Sequence, residues 1–243
     1  MSKFEVRPTL LKKKDIKLYK SIPDPLPKPP LSVVILASRR SGKSTTCVSL
    51  LMNGGYIKAF SEVLLLSETI AHDKTYAPLS KFDNVSVHDI SKHPINNELL
   101  AAIWHRQNER FKEDKKNDLL VVFDDLGDKM KSKDMRAWMN KYAQLGRHPG
   151  ISFINIVQSP NNLTSEQWSN ATTFIIFALD RKALIKTSEK LATAEKDARE
   201  MEDYIRKNTR KKYSWVMVNM SAERDEDVFL AFDPTSNTFK IGN

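Results

Sequence analysis

Cysteine is almost missing from this chain: there is one, Cys47, in 243 residues. A single cysteine makes an intrachain disulfide impossible and offers no thiolate set at metal-ligand spacing, which points to a reducing compartment. Inside a helical pattern, as Cys47 is, a thiol packs as a small hydrophobe. Long apolar runs are missing too. No stretch reaches the length of a membrane span, and the first residues carry no apolar run of signal-peptide length. Acids are in the minority, 30 against 39 lysines and arginines, for a formal net charge of +9. That balance favours a polyanionic partner; a solvated basic surface is the competing reading. An apolar fraction of 40% in a chain of this length suits one sizeable core, a single domain with appendages.

What is present is organised around residues 31–46. Val33-Val34-Ile35-Leu36 is the apolar, β-branched run that a fully buried strand needs. The chain then passes through Ala37-Ser38-Arg39-Arg40-Ser41-Gly42-Lys43-Ser44-Thr45 into a helical pattern, Cys47 to Met52, closed by Asn53-Gly54-Gly55. Strand, turn with Gly-Lys-Ser, helix is the context of a phosphate-binding loop. Backbone N–H groups from Ser38 to Thr45 wrap the phosphates, and the helix N-terminus adds its partial positive charge. Lys43 would reach the β- and γ-phosphates, and the Ser44 hydroxyl would hold Mg²⁺, so ATP and Mg²⁺ are the expected cofactors. Ala37 stands where the strict motif has its first glycine; it precedes the tightest part of the loop and is read as tolerated. A chance Gly-Lys-Ser on a surface turn is the alternative, and the flanking strand and helix speak against it.

Residues 1–30 read as an arm outside the core. They carry eight basic and three acidic residues, with Pro23, Pro25, Pro27, Pro29 and Pro30 enforcing an extended course. Such an arm can lie on a nucleic acid, clasp a neighbouring subunit, or be a solvated tail. Glu62 to Ser67 reads as a second buried strand, followed by a polar loop region through Val87. Asn96 to Lys116 is an amphipathic helix bearing Leu99, Leu100, Ile103, Gln107 and Phe111 on one face.

A second motif is Asp118-Leu-Leu-Val-Val-Phe-Asp-Asp-Leu126. Five apolar residues ending in paired acids describe a central parallel strand that delivers carboxylates to its C-terminal edge, where open α/β sheets bind ligands. Asp124 takes the place of the acid that orients Mg²⁺, and Asp125 is placed to polarise the attacking water. An Asp-rich strand-end turn is the plain alternative; the phosphate loop upstream strengthens the catalytic one. Asp134 to Leu145 is an amphipathic helix whose Met135, Trp138, Met139, Tyr142 and Leu145 are core. Ile151 to Gln158 is another buried strand. Inserted between the phosphate-loop strand and the second strand, it would set the Gln158 amide beside the γ-phosphate; an amide bonding the next turn is the alternative. Thr172 to Ala178 is a fifth core strand, 180–207 a long helical stretch, and Tyr213 to Asn219 with Val228 to Phe232 a C-terminal β-hairpin.

Together, Ala37 to Thr45, Asp124-Asp125, Gly146-Arg147-His148 and the strand ending in Gln158 resemble the HerA/FtsK superfamily, and within it the small genome-packaging ATPases of large double-stranded DNA viruses and virophages. The likeness covers roughly 31–180. It implies an α/β P-loop NTPase of the additional-strand type, its mostly parallel central sheet flanked by helices. It also implies a homo-oligomeric ring of five or six subunits and ATP-driven movement of double-stranded DNA into a capsid, with capsid or portal proteins as further partners. The place of action would be the host cytoplasm or the virion. On this reading the core spans 31–208, between the basic arm and a hairpin extension over 209–243. Asp125 departs from the family, where many members place glutamate.

Ring ATPases commonly complete one subunit's site with a neighbour's arginine. Arg147, just before a core strand, is the chosen candidate; Arg181, Arg39 and Arg40 are the others, and a solvated or ion-paired arginine is the plain reading of each. Three functional classes stay open at this point. They are the packaging motor, another P-loop enzyme such as a helicase or nucleotide kinase, and a nucleic-acid-binding scaffold with an inactive loop. Intact Lys43, Ser44 and Asp124 argue against the last.

Overall fold

The computed structural model describes residues 19–70, 73–126, 129, 132–193, 196–222, 225–236 and 238–241; the stretch 1–18 of the expected arm lies outside them. Nine strands make its frame: β1 Ser32–Leu36, β2 Glu62–Ser67, β3 Val85–Asp89, β4 Leu119–Asp124 and β5 Ile151–Val157, then β6 Thr173–Phe177, β7 Trp215–Asn219, β8 Phe229–Asp233 and β9 Thr238–Ile241. They form one sheet in the order β3-β2-β4-β5-β1-β6-β7-β8-β9. From β3 across to β6 every pairing is parallel. From β6 through β9 every pairing is antiparallel. The mixed α/β fold with a mostly parallel sheet is the expected one, and β5 lies between β1 and β4 as the inserted strand.

Central strands are buried on both faces, which is why β1, β4 and β5 read as unbroken apolar runs. Alternation divides their side chains between two helical layers. Val33, Ile35, Leu120, Val122, Ile154 and Ile156 face a layer containing α1 (Lys43–Met52) and α2 (Tyr56–Ala59). Toward β3 the opposite face packs Leu119, Val121, Phe123 and Phe153 against α3 (Asn97–Glu113) and α4 (Lys133–Leu145). A short α5 (Ser165–Asn170) precedes β6. Toward β8 that face packs Val34, Leu36, Phe174 and Ile176 against α6 (Arg181–Leu191) and α7 (Ala198–Asn208). No helix among the described residues is long and apolar enough to cross a membrane.

Leu145, expected in the core with the rest of its stripe, is 44% exposed at the end of α4. Four larger expectations also change. Residues 180–207 form two helices, because Asp197 accepts from the N–H groups of Arg199 and Glu200 and closes a capping box that starts α7 afresh. Val85–Asp89, expected in a loop region, is the edge strand β3, half-buried and paired on one side only. The C-terminal hairpin carries a third strand and hydrogen-bonds to β6, so it continues the core sheet. The described part of the arm, 19–30, packs onto the core. Ile22 and Leu26 are 3% and 8% exposed, and Tyr56 Oη donates to the Pro27 carbonyl at 2.8 Å. Gly55 explains the fit: at φ +77° it has no Cβ, and one would meet the Ser21 carbonyl oxygen at 1.8 Å.

This packing makes a direct prediction. Ile22→Ala leaves a cavity under α2 and should cost about 2–5 kcal/mol in chemical denaturation with an unchanged m-value. A variant as stable as the parent would return the segment to a free arm.

Candidate active site

Three parallel strands end side by side and carry the candidate residues. Leu36 at the end of β1 is level with Val157 of β5, and Asp124 at the end of β4 with Ile156. The ladder runs one bond further on each side: Ala37 N–H donates to Val157 O at 3.1 Å, and Asp125 N–H to Ile156 O at 3.2 Å. Ala37 is fully buried within the core layer, so its methyl is packed where the strict motif has a hydrogen.

Beyond Ala37 the chain curls. Arg40 and Gly42 both take left-handed backbone angles, φ +60° and +95°. A Cβ on Gly42 would stand 3.0 Å from the Tyr213 ring, so glycine is required by both conformation and contact. Thr46 N–H to Gly42 O, 2.9 Å, is the first helical bond of α1; the N–H groups of its first turn are left for a ligand. Ser41 Oγ is also buried without a hydrogen-bond partner. These donors and the helix dipole suit a phosphate chain.

The acids differ sharply. Asp124 is 1% exposed. Its Oδ2 accepts from Tyr76 Oη at 2.7 Å and from Ser67 Oγ at 3.2 Å, whereas Oδ1 is buried with no partner. Burial raises its pKa, and the hydrogen bond from Tyr76 and the nearby Lys43 only partly offset this. Asp125 turns out of the strand at φ +53°. Its Oδ2 lies 3.6 Å from Lys43 Nζ and accepts from Gln158 Nε2. Gln158 Oε1 in turn accepts from Arg39 Nε at 3.1 Å. Lys43, Asp125, Gln158 and Arg39 therefore form one connected chain of contacts across the loop, while Ser38 Oγ ties the loop to Ala178 O at 3.2 Å.

Three further residues were not foreseen. Ser67, the polar end of an apolar strand, was readable by the same logic as Asp124. Asp73 and Tyr76 lie just before and within a 3-10 segment, Lys74–Lys81, in the stretch expected to be a polar loop region. Burial works to raise the Asp73 carboxyl, but hydrogen bonds from Thr75 and Ser44, with Lys43 nearby, hold it below the usual range. Asp73 thus stands beside Ser44. Among the described residues no three His, Cys, Asp or Glu side chains cluster as a metal site.

Arg147 is not part of this arrangement within one chain. It is exposed and precedes β5, while Gln158 follows it, so seven strand residues, about 23 Å at roughly 3.3 Å each, separate the two ends. Arg181 opens α6 at the same sheet edge as the loop.

Asp124→Asn is predicted to stabilise the nucleotide-free protein in chelator at neutral pH, raising Tm by roughly 2–4 °C for each kcal/mol of charge burial relieved. The sign follows from the raised folded pKa: the wild-type penalty is full above it and fades as pH falls to the unfolded value. Thermal scans at two pH values should show the gain shrinking in acid, and a loss of stability at neutral pH would contradict the assigned burial cost.

Comparison with known proteins fits this geometry. The profile of the poxvirus A32 protein family matches residues 22–238. No curated protein sequence matches. Among solved structures, B204, the DNA-packaging ATPase from Sulfolobus turreted icosahedral virus, is similar in fold. It has 17% identity and a TM-score of 0.56, covering 87% of this chain and 96% of that one. The genome packaging NTPase B204 of Sulfolobus turreted icosahedral virus 2, in complex with ATP-γ-S, gives 14% and 0.53 over 87% and 95%. The pCW3 conjugation coupling protein TcpA, in its monomer form with ATP-γ-S, gives 14% and 0.56 over 79% and 58%. At these identities the structures share the fold, whereas the profile match spans nearly the whole chain: it belongs to the poxvirus A32 protein family.

Proposed function

We propose that this protein is an ATP-hydrolysing motor that drives double-stranded DNA into a viral capsid. One observation carries the ATPase reading: Lys43, Asp124, Asp125 and Gln158 converge at the level ends of β1, β4 and β5, beside a loop whose N–H groups are left for phosphate. Membership of the A32 family supports packaging as the use of that chemistry. A helicase gains nothing comparable from the fold.

The residues divide the work. Loop N–H groups from Ser38 to Thr45 bind the phosphates. Phosphate charge competes with Asp125 for Lys43, 3.6 Å away, and draws the ammonium to the β- and γ-phosphates. Asp125, then held by Gln158, accepts the proton of the attacking water as it displaces ADP from the γ-phosphorus. Being one methylene shorter than glutamate, Asp125 relies on that amide and on its φ of +53° for its aim. Ser44 and Asp124, whose buried Oδ1 has no protein partner, would hold Mg²⁺, which would offset the charge developing on the phosphates. Gln158, bonded to both Asp125 and Arg39, links the loop to the water site.

Subunits would form a ring of five or six, at the assembly site in the host cytoplasm or in the virion, against capsid or portal proteins. Arg147, exposed at the far sheet edge, would complete a neighbour's site as the arginine supplied in trans. The basic residues of 1–18 would lie along DNA phosphates.

Turnover measured with and without duplex DNA, together with oligomer mass, tests the reading; hydrolysis indifferent to duplex and a monomeric mass would contradict it. Lys43→Ala should lose at least about 100-fold in turnover while keeping its fold. Asp125→Asn should keep nucleotide affinity and stall hydrolysis, and normal turnover would remove Asp125 from the role of base. Deleting 1–18, which spares the packed Ile22 and Leu26, should flatten the salt dependence of DNA binding by roughly 0.9 in log–log slope for each phosphate no longer neutralised. An unchanged slope with a broken oligomer would make that stretch a subunit clasp.

A further inference from the structure

Gln107 takes no part in the chemistry, yet it is a costly residue where it stands. It occupies one position of the α3 stripe whose other buried members are Leu100 and Ile103, and it is fully buried. Its Oε1 has no hydrogen-bond partner, so an apolar side chain there would relieve the fold of a buried polar atom. The return on the amide is at Nε2, which donates to Pro149 O at 3.1 Å and also to Asn117 O. Pro149 belongs to the loop that carries Arg147.

That loop is held from several sides. Gly150 N–H donates to Arg147 O at 3.3 Å and Ile151 N–H to Gly146 O at 2.8 Å, closing a tight turn. Gly150 takes φ +68°, and a Cβ there would stand 2.4 Å from the ring of Phe111, one turn along α3 from Gln107. Gly150 O accepts from Leu119 N–H at 3.0 Å, at the start of β4. The Arg147 side chain is treated differently. It is exposed and makes no ion pair or side-chain hydrogen bond among the described residues. Arg106 and Arg110 of α3, by contrast, are both paired with Glu62. A backbone fixed this firmly beneath an uncommitted guanidinium suits a group aimed outside its own chain.

We propose that Gln107 is a positioning residue for Arg147: by holding Pro149 it fixes where and in which direction the arginine leaves the subunit. The target is the phosphate chain bound by an adjacent copy, so the proposal rests on the reading of Arg147 in trans above. It brings in α3, which packs on the sheet face opposite α1, as a part on which hydrolysis in the neighbour depends. A guanidinium displaced by about an ångström loses its hold on charge developing in the transition state, while nucleotide binding in its own subunit is untouched.

Steady-state hydrolysis by the full chain with duplex DNA tests this, for each variant alone and assembled in equal mixture with Lys43→Ala. The Lys43→Ala protein cannot turn over ATP but has an intact Arg147 to lend. Gln107→Met, close in size but without the Nε2 donor, should lower kcat by about tenfold or more with KM for ATP unchanged. Assembly with Lys43→Ala should raise turnover above the sum of the two separate proteins, as it should for Arg147→Ala, because intact arginines then face intact loops. Gly150→Ala, which drives the loop off Phe111, should behave in the same way and covers the case in which Gln107→Met does not fold. Parent kcat in the folded variants would overturn the positioning role. So would a loss that mixing restores for Arg147→Ala but not for Gln107→Met or Gly150→Ala, since the defect would then lie in the variant's own site. Arg147→Ala with the parent's turnover would instead overturn the reading in trans.

Discussion

Everything at the active site depends on the parallel register of β4, β5 and β1. Because side chains alternate, Asp124 shares a sheet face with Leu120 and Val122, the face covered by α1, and there it meets Tyr76. A slip of one residue in β4 would turn it to the α3 and α4 side, away from the loop. The same register makes Ala37 and Asp125 bond to adjacent β5 carbonyls, so loop and acid leave the sheet at the same height. Lys43, Asp125, Gln158 and Arg39 can then touch in sequence although they come from three separate segments.

The fold accepts a cost for this. A carboxylate at 1% exposure with one oxygen unpartnered is destabilising unless a cation completes it. Tyr76 and Ser67 hold the other oxygen and so set which oxygen is left over. The same dry surroundings, together with the nearby Asp124 charge, push the Cys47 thiol up, so Cys47 stays a protonated core residue just behind the loop. Strain sits in the same place: Arg40, Asp125 and Tyr213 are the non-glycine residues with positive φ among those described, and all three stand at the loop or against it.

The phosphate loop, the paired acids and Gln158 are legible in the sequence because each is the polar end of an apolar strand, a pattern that burial on both faces imposes. Ser67 obeys the same rule. Asp73 and Tyr76 do not, since they reach the site through a 3-10 segment whose order comes from tertiary contacts with α1 and β4. The segment 19–30 departs from the free arm expected of it because prolines argue for an extended course and say nothing of Ile22 and Leu26 finding a partner surface at Gly54 and Gly55. Helices α6 and α7 look like one stretch because their charged faces run on, while the break is set by one capping aspartate. The C-terminal strands are legible as a hairpin, but that they extend the core sheet is a matter of pairing that no local pattern carries.

The most direct test is a structure of the Asp125→Asn protein with ATP and Mg²⁺. It should show phosphates against the N–H groups of residues 38–45, Lys43 on the β- and γ-phosphates, and Asp124 facing the metal. Nucleotide bound elsewhere, with Lys43 still turned to residue 125, would contradict the roles assigned to the loop and the acids.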